Sequence, residues 1–232
     1  MIMAGTVTHL VIADQLLEPL GINNPALFYC GSLAPDAIMA REGYQREMKR
    51  HTHFKDGIHL KELHLPDCYD KYRRAFRAFA EQYLHPGSTD YELYLGYVTH
   101  ILADEVFILT LRDAHSQRLQ AAGKNPEDPA YFAAFGRDVD LHDRRLAREY
   151  PFRHPMPHIL LTEQDYEIPG YITRRELLSS KAFIIRKNFP SSRESGEPRE
   201  ESSPAVFSFE ENQNFIREAC SYIQKAIKDC TL

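Results

Sequence analysis

Residues 89–113, TDYELYLGYVTHILADEVFILTLRD, form a long apolar run with a histidine and an aspartate in its middle. The run contains no proline, and Thr89 followed by Glu92 has the spacing of a capping box, which predicts one helix beginning near Thr89. His100 and Asp104 are four residues apart and therefore share one face of that helix. Since their neighbours are apolar, we expect both side chains to be buried, and a buried carboxylate needs a strong partner.

Three kinds of partner are compatible with this pattern. His100 and Asp104 can form a hydrogen-bonded pair within the core of the protein. They can instead bind a metal ion, because imidazole nitrogen and carboxylate oxygen both ligate zinc and the ion offsets the cost of burying the carboxylate. They can also act as a catalytic acid and base without metal. The rest of the chain has to distinguish these alternatives.

The composition of the 232-residue chain is that of an ordinary globular protein, with 43% hydrophobic and 26% charged residues. This length is sufficient for one sizeable core. The net charge of -5 argues against general nucleic-acid binding. The N-terminus lacks the basic region and cleavage site of a signal peptide, and no uncharged apolar run reaches about 18 residues. We therefore expect a cytoplasmic protein without a transmembrane segment, while the oligomeric state stays open.

Apolar residues recur at helical spacing along the chain, and no strand-like alternation is strong, so we predict an all-α protein. The expected architecture is a compact multi-helix bundle with long connecting loops, one of them the polar, histidine-rich segment 41–65. Helices are predicted at 6–20, after Asn24-Pro25, at 69–84, 128–150 and 173–187, and from the capping box of Ser208 and Glu211 onward. We predict a helical domain at 1–188, a flexible linker at 189–207, and a C-terminal amphipathic helix at 208–232 that packs on the same domain.

Two further polar positions are candidates for a functional site. Gly31 and Pro35 are expected to break the second helix, so that a turn presents Asp36. The carboxylate there is either part of a site or a helix cap. His51 and His53 are one residue apart in the polar segment 41–65, where they either ligate a metal or lie in a solvated turn.

Nitrogen and oxygen ligands suited to a divalent cation thus come from two helices and two loops, namely His9, Asp36, His53, His100 and Asp104. In order along the chain, the stretches THLVIAD, FYCGSLAPDA, KRHTHF and YLGYVTHILAD resemble the bacterial zinc-dependent phospholipase C family, in particular its smaller intracellular relatives. The resemblance covers roughly residues 6–110. It implies an all-α fold like that of the secreted phospholipases C and the related fungal single-strand nucleases, with zinc ions that hydrolyse phosphate esters.

The resemblance also implies a role for each of the five residues. Asp36 matches the family's aspartate ligand, which is also a candidate base for the attacking water. His53 matches the histidine of the loop motif ending in His-Phe. His100 and Asp104 match the helical pair, whose aspartate can bridge two metals, and His9 resembles the N-terminal histidine ligand.

The chain departs from the secreted members beyond Asp104, where Thr110 stands in place of a histidine, and it has no tryptophan to supply the amino-terminal ligand. We therefore expect one or two zinc ions, or another divalent metal, rather than the three zinc ions of the secreted members. Additional metal candidates are His51, His115, His142 and Asp143. Three basic residues of the loop are candidates to meet a phosphate, namely Lys49, Arg50 and Lys55.

These expectations describe a metal-dependent hydrolase acting on a small phosphoester or a phospholipid-like substrate. The metal would lower the pKa of its bound water from 15.7 toward about 7. Two alternatives remain from the sequence. His142-Asp143 imitates the His-Asp ligand pattern of the helical metal phosphohydrolases. A protein that kept the ligands but lost catalysis would be a metal-stabilised interaction protein.

Overall fold

The computed structural model describes residues 3–125, 128–162, 166–190 and 204–229. Within these ranges the secondary structure is helical apart from one isolated antiparallel bridge between Ile168 and Ile172, so the all-α prediction is confirmed. The helices are α1 (Thr6–Leu16), α2 (Pro25–Ala37), α3 (Met48–Thr52), α4 (Pro66–Tyr83), α5 (Tyr91–Val106), α6 (Asp113–Ala121), α7 (Pro129–Glu149), α8 (Met156–Thr162), α9 (Arg174–Asn188) and α10 (Phe209–Lys228).

Helix α5 is the centre of the hydrophobic core. All its residues from Leu93 to Val106 are buried, and it packs against α1, α2, α4 and α10. A π-helix, Phe107–Arg112, joins α5 to α6, so helical structure continues to the end of α6. By length and composition alone, Tyr91–Ala121 is suited to cross a bilayer. However, 83% of an apolar 18-residue stretch of this segment is buried inside the protein, as expected for a core helix.

The start of α5 differs from the predicted capping box of Thr89 and Glu92. The N-cap position of α5 has no side-chain hydrogen bond. The Glu92 carboxylate instead accepts hydrogen bonds from the backbone N–H groups of Asn23 and Asn24, each at 2.6 Å. The side chain therefore ties the segment that precedes α2 to the first turn of α5, a tertiary contact that local spacing does not reveal.

We expect Glu92→Gln to lower the free energy of unfolding by about 1–2 kcal/mol, because the amide keeps one acceptor and turns an NH2 group toward a backbone N–H. Urea denaturation would measure the change. Glu81→Gln is the matched control, since Glu81 is exposed on α4. That substitution should change the free energy by less than about 0.5 kcal/mol. Equal unfolding free energies for the two variants would contradict the role assigned to Glu92.

Helix α2 runs through Gly31 and Pro35 to Ala37, so the predicted break is wrong. Proline inside a helix costs about 3 kcal/mol, because it lacks an N–H and crowds the preceding turn. Every residue from Ala26 to Ala37 is buried, and this packing outweighs the local penalty. Asp36 consequently projects from the last turn of a core helix rather than from a loop.

Helices α2 and α5 cross at a contact between two glycines. A Cβ atom added to Gly96 would lie 2.2 Å from the Phe28 carbonyl oxygen, and one added to Gly31 would lie 1.9 Å from the Leu93 carbonyl oxygen. Backbone atoms occupy both positions, so no side chain fits and the two helices pack closely. The crossing brings the C-terminal half of α2 against the middle of α5.

Residues 41–65 are more structured than the predicted loop, because they contain α3 and a 3-10 turn, Leu60–Glu62. Phe54, directly after α3 and His53, has a positive φ of 58°. Its ring packs against Phe76, Phe79 and Tyr97, and this burial holds the left-handed backbone in place. The aromatic anchor thereby fixes the position of His53.

The remaining helices lie close to their predicted positions, namely α1, α4, α7, α9 and α10. The capping box of Ser208 and Glu211 is present at the start of α10. Helix α10 packs against α1 and α5. Of the predicted linker 189–207, residues 191–203 lie outside the described residues.

Candidate metal centre

Five polar side chains converge in the core beside the crossing of α2 and α5, and we call them the His–Asp cluster: His9, Asp36, His53, His100 and Asp104. The four apart from Asp36 are at most 2% exposed. Asp104 Oδ1 lies 3.5 Å from His9 Nε2, and Asp104 Oδ2 lies 3.3 Å from His53 Nε2. Asp36 Oδ1 lies 3.3 Å from His53 Nε2 and 3.9 Å from His100 Nε2. The sequence-predicted residues are therefore brought together.

The donor atoms fall into two groups that share His100. One group contains His9, His100 and Asp104, and the other contains Asp36, His53 and His100. Within each group the donor atoms lie within 4.8 Å of one another. Ligands bound tetrahedrally at the usual zinc distances are about 3.3–3.6 Å apart. The contacts of 3.3–3.9 Å between the carboxylate oxygens and the Nε2 atoms are close to that spacing.

Backbone and hydroxyl groups orient two of the imidazole rings. His100 Nδ1 lies 2.8 Å from the Ser32 carbonyl oxygen, which can only accept, so Nδ1 carries the proton. Thr52 Oγ1 donates to the Pro35 carbonyl oxygen at 2.8 Å, so it accepts from His53 Nδ1 at 2.9 Å. Both Nε2 atoms consequently present a lone pair to the cluster, which is the arrangement that supporting hydrogen bonds give to metal-bound histidines.

Several buried polar atoms of the cluster lack a hydrogen-bond partner among the described residues. They are both ring nitrogens of His9 and both carboxylate oxygens of Asp104. A buried polar group left without a partner costs about 1–3 kcal/mol, and a charged one costs more. A divalent cation would supply the partner that these atoms lack. The donor set therefore fits zinc or a similar metal.

The electrostatics of the cluster favour the protonation states that ligate metals. Burial alone raises the pKa of Asp104, but His53 and His9 outweigh it and hold that pKa well below its usual range. Burial likewise raises the pKa of Asp36, and the Lys49 ammonium at 2.6 Å, with the neighbouring histidines, brings it well below its usual range. Burial and the neighbouring His9 lower the pKa of His100, so its ring is neutral. Ionised carboxylates and neutral imidazoles are the ligating forms.

Two of the additional candidates lie away from the cluster. His51 is largely exposed, and its Nδ1 lies 2.8 Å from Asp56 Oδ2. His115 is buried between α6 and the start of α10, with its Nδ1 2.9 Å from the Tyr131 hydroxyl and its Nε2 3.4 Å from Glu211 Oε1. Within the described residues, neither belongs to a group of converging donor atoms.

The other two additional candidates, His142 and Asp143, hold neighbouring segments in place. His142 Nε2 donates to the Phe207 carbonyl oxygen at 2.6 Å. Asp143 accepts from the backbone N–H groups of Val7 and Thr8, both at 3.0 Å, and so caps the start of α1. Neither donor converges with the cluster among the described residues, so the geometry does not favour the alternative site built on the His-Asp dipeptide. Asp143 instead positions the helix that carries His9.

The three predicted phosphate contacts have different surroundings. Lys49 Nζ lies 2.6 Å from Asp36 Oδ1, at the edge of the cluster. Arg50 lines a cavity next to it. Lys55 is only 1% exposed, and its Nζ lies 5.4 Å from the centre of the Tyr72 ring. Burial lowers the pKa of Lys55. Because its ammonium is enclosed, a phosphate cannot reach Lys55 without rearrangement.

A solvent-accessible cavity of about 480 Å³ lies against the cluster. Asp36 and Lys49 form part of its wall, together with Arg46 and Met39. Phe132 on α7 also lines it. The sequence reasoning missed Arg46 and Phe132 as lining residues. The only available signal was that Arg46 lies three residues before Lys49, which predicts a shared face if the segment is helical.

The fold and the cluster together define an all-α protein with a candidate divalent-metal centre. The zinc-dependent phospholipase C family matches residues 8–142, a stretch that covers more than half of the chain and contains all five cluster residues. The chain therefore belongs to the zinc-dependent phospholipase C family. The match assigns the family and not a branch within it. No curated protein and no solved structure matches the chain.

Proposed function

We propose that the protein is a zinc-dependent hydrolase of phosphoric esters, with the His–Asp cluster as its metal site. The observation that carries this proposal is the buried, ionised Asp104 carboxylate, neither of whose oxygens has a hydrogen-bond partner in the described part of the chain, although His9, His53 and His100 surround it. The cluster lies within the region that matches the family. When bound, zinc would lower the pKa of a water molecule toward about 7 and stabilise negative charge on a phosphoryl oxygen.

The cluster has enough ligands for one ion or for two ions that share a carboxylate. One imidazole Nε2 binds one ion, so His100 can complete only one of the two groups at a time. Asp104 is different, because its Oδ1 faces His9 while its Oδ2 faces His53. We therefore assign Asp104 as the residue able to bridge two ions, with His9 on one side and Asp36 and His53 on the other.

Asp36 is the residue we assign as the base for the attacking water. Its carboxylate is ionised, and at 7% exposure it is the most accessible member of the cluster. It lies on the wall of the 480 Å³ cavity, where a substrate would enter. Lys49 Nζ donates to Asp36 Oδ1 and so stabilises the ionised carboxylate. It also brings a positive charge to the place where phosphate would bind.

The substrate that this arrangement suits is a small phosphoester or the headgroup of a phospholipid-like molecule. The cavity combines charged groups, Asp36, Lys49 and Arg46, with apolar surface from Met39 and Phe132. Such a wall can accommodate both the phosphate and a less polar leaving group. The phospholipid part of this proposal rests on the family assignment.

The proposal is tested by metal analysis combined with hydrolysis of bis(4-nitrophenyl) phosphate. Protein purified without chelator should contain at least one equivalent of zinc per chain. Treatment with a chelator should abolish hydrolysis, and added zinc should restore it, because the metal supplies the acidified water. Stoichiometric metal without turnover on phosphoesters would favour a metal-stabilised, non-catalytic protein. Absence of stoichiometric metal would contradict both roles.

A further inference from the structure

A second cavity of about 660 Å³ adjoins the one beside Asp36. Among the described residues of its lining, the charged side chains are four basic ones and one carboxylate, namely Arg46, Arg50, Lys61, Arg112 and Glu47. Arg46 and Phe132 line both cavities, so the two are direct neighbours. We call the second one the arginine cavity. A ligand that reaches the cluster could therefore extend into it.

The positive charge of the arginine cavity is only partly compensated. Neither the Arg46 nor the Arg50 side chain makes a hydrogen bond or an ion pair with another described residue. The chain as a whole has a net charge of -5, so this concentration of cations contrasts with the overall composition. Positive charge in a concave surface attracts anions. The planar guanidinium groups favour phosphate in particular, because they can donate two parallel hydrogen bonds to it.

Helix α3 connects the two cavities. Lys49 and Arg50 are successive residues of this helix, so their side chains leave the axis about 100° apart. Lys49 reaches Asp36 in the cluster, and Arg50 lines the arginine cavity. Arg46, just before α3, contributes to both walls. One short segment therefore presents cations to the reacting phosphate position and to a second position beside it.

The π-helix between α5 and α6 contributes an independent feature. Arg112 is its last residue and lines the arginine cavity. A π-helix is rare and occurs frequently at functional sites, because the inserted residue changes the direction of the side chains that follow it. The π-helix begins three residues after Asp104. The continuous helical segment therefore carries Asp104 of the cluster and, further along, Arg112 of the arginine cavity.

We propose that the arginine cavity is a second phosphate subsite, so that the substrate carries a phosphate or a similar dianionic group in addition to the ester that is hydrolysed. The statement about the substrate rests on the proposed function, whereas anion binding in the cavity does not. A phosphorylated lipid headgroup and a soluble phosphorylated ester share this chemistry. Two experiments separate the subsite from the hydrolysis and one source from the other.

The first experiment is a titration of the zinc-loaded protein with sulfate, followed by the NMR signals of the arginine side-chain N–H groups. The double variant Arg50→Gln/Lys61→Gln should weaken sulfate binding about tenfold or more, since hydrogen bonds between charged groups are lost. Arg50→Lys keeps the charge but loses the two parallel hydrogen bonds, so it should weaken binding by less than the double variant does. Lys225→Gln is the matched control, because Lys225 is exposed on α10 and its substitution removes a positive charge outside the arginine cavity. Unchanged sulfate affinity in the double variant would overturn the subsite.

The second experiment compares substrates that differ only by one phosphate. Glycerophosphoinositol and its 4-phosphate form the soluble pair, and vesicles of phosphatidylinositol and of its 4-phosphate form the lipid pair. We expect kcat/KM to be about tenfold higher for the phosphorylated member of at least one pair. The double variant should lose that preference mainly through KM. A preference within the vesicle pair alone identifies a lipid headgroup, and one within the soluble pair alone identifies a soluble ester.

The two experiments also separate the subsite from the proposed hydrolysis. Hydrolysis of both members of each pair at equal rates would overturn the second phosphate and leave the hydrolase assignment intact. Sulfate binding that depends on Arg50 and Lys61, without hydrolysis of any phosphoester, would support the anion site and contradict the proposed function. Both substituted side chains are at least partly accessible, so we expect the variants to fold. Circular dichroism melts would verify this.

Discussion

Asp104→Asn should abolish zinc binding and lower kcat/KM on a phosphodiester by about a thousandfold or more. The substitution keeps the size of the side chain but removes the charge that faces His9 on one side and His53 on the other. A neutral amide is a poor ligand for zinc, and it cannot bridge two ions. Loss of the metal removes several kcal/mol of charge stabilisation, which corresponds to the expected fall in rate. Metal analysis and steady-state kinetics on the same preparation would measure both effects.

The matched control for that variant is Asp143→Asn, which neutralises another buried carboxylate. Asp143 bonds the backbone N–H groups of Val7 and Thr8 and lies outside the converging donor groups. Its variant should lose about 1–3 kcal/mol of stability and still bind zinc. A chelator should lower the Tm of the wild type and of this control, because the metal binds only the folded state. The Tm of Asp104→Asn should not respond, and full zinc occupancy in that variant would refute the bridging role.

Sequence reasoning was most reliable where a single helix determines the outcome. His100 and Asp104 lie four residues apart on one helix, so their common direction follows from helix geometry alone. Similarly, Ser208 and Glu211 form their capping box because both partners belong to the same turn. The amphipathic pattern located α10 for the same reason, since its apolar stripe is a property of local spacing.

Tertiary contacts explain the errors in the fold. Pro35 favours the end of a helix locally, yet α2 continues because every residue from Ala26 to Ala37 is buried. Glu92 has the spacing of a capping partner for Thr89, but its carboxylate accepts from two backbone N–H groups that precede α2. In both cases the competing interaction is made with residues distant in the chain. A local rule cannot weigh such an interaction.

The candidate site shows the same division between local and long-range information. The positions of the five cluster residues could be proposed from short motifs, whereas the groups that orient them could not. The Ser32 carbonyl accepts from His100 only because α2 packs against α5, and Thr52 is oriented to accept from its neighbour His53 by the Pro35 carbonyl of α2. The arginine cavity also cannot be predicted from the sequence, since Arg112 lies more than 60 residues from Arg50 along the chain. Only the fold places their charges on one wall.

The crossing of α2 and α5 provides the second large effect: Gly96→Ala should destabilise the protein by about 3 kcal/mol or more. Alanine favours a helix interior over glycine by about 1 kcal/mol, so local propensity alone predicts the opposite sign. The added Cβ would lie 2.2 Å from the Phe28 carbonyl oxygen and 2.8 Å from the Ser32 backbone nitrogen. Backbone atoms cannot rotate aside as a side chain can, so the two helices must separate. Chemical denaturation would measure the loss.

Gly136→Ala is the control that isolates the crossing. Gly136 also lies within a helix, α7, but a Cβ there meets no atom within 4 Å among the described residues. That variant should be unchanged or more stable by up to about 1 kcal/mol. Asp36 Oδ1 and His100 Nε2 lie 3.9 Å apart across the crossing, so separation of α2 from α5 should also move Asp36 away from His100. Gly96→Ala should therefore weaken zinc binding, measured against a competing chelator, as well as folding. A less stable variant with unchanged zinc affinity would show that the crossing supports the core and not the geometry of the cluster.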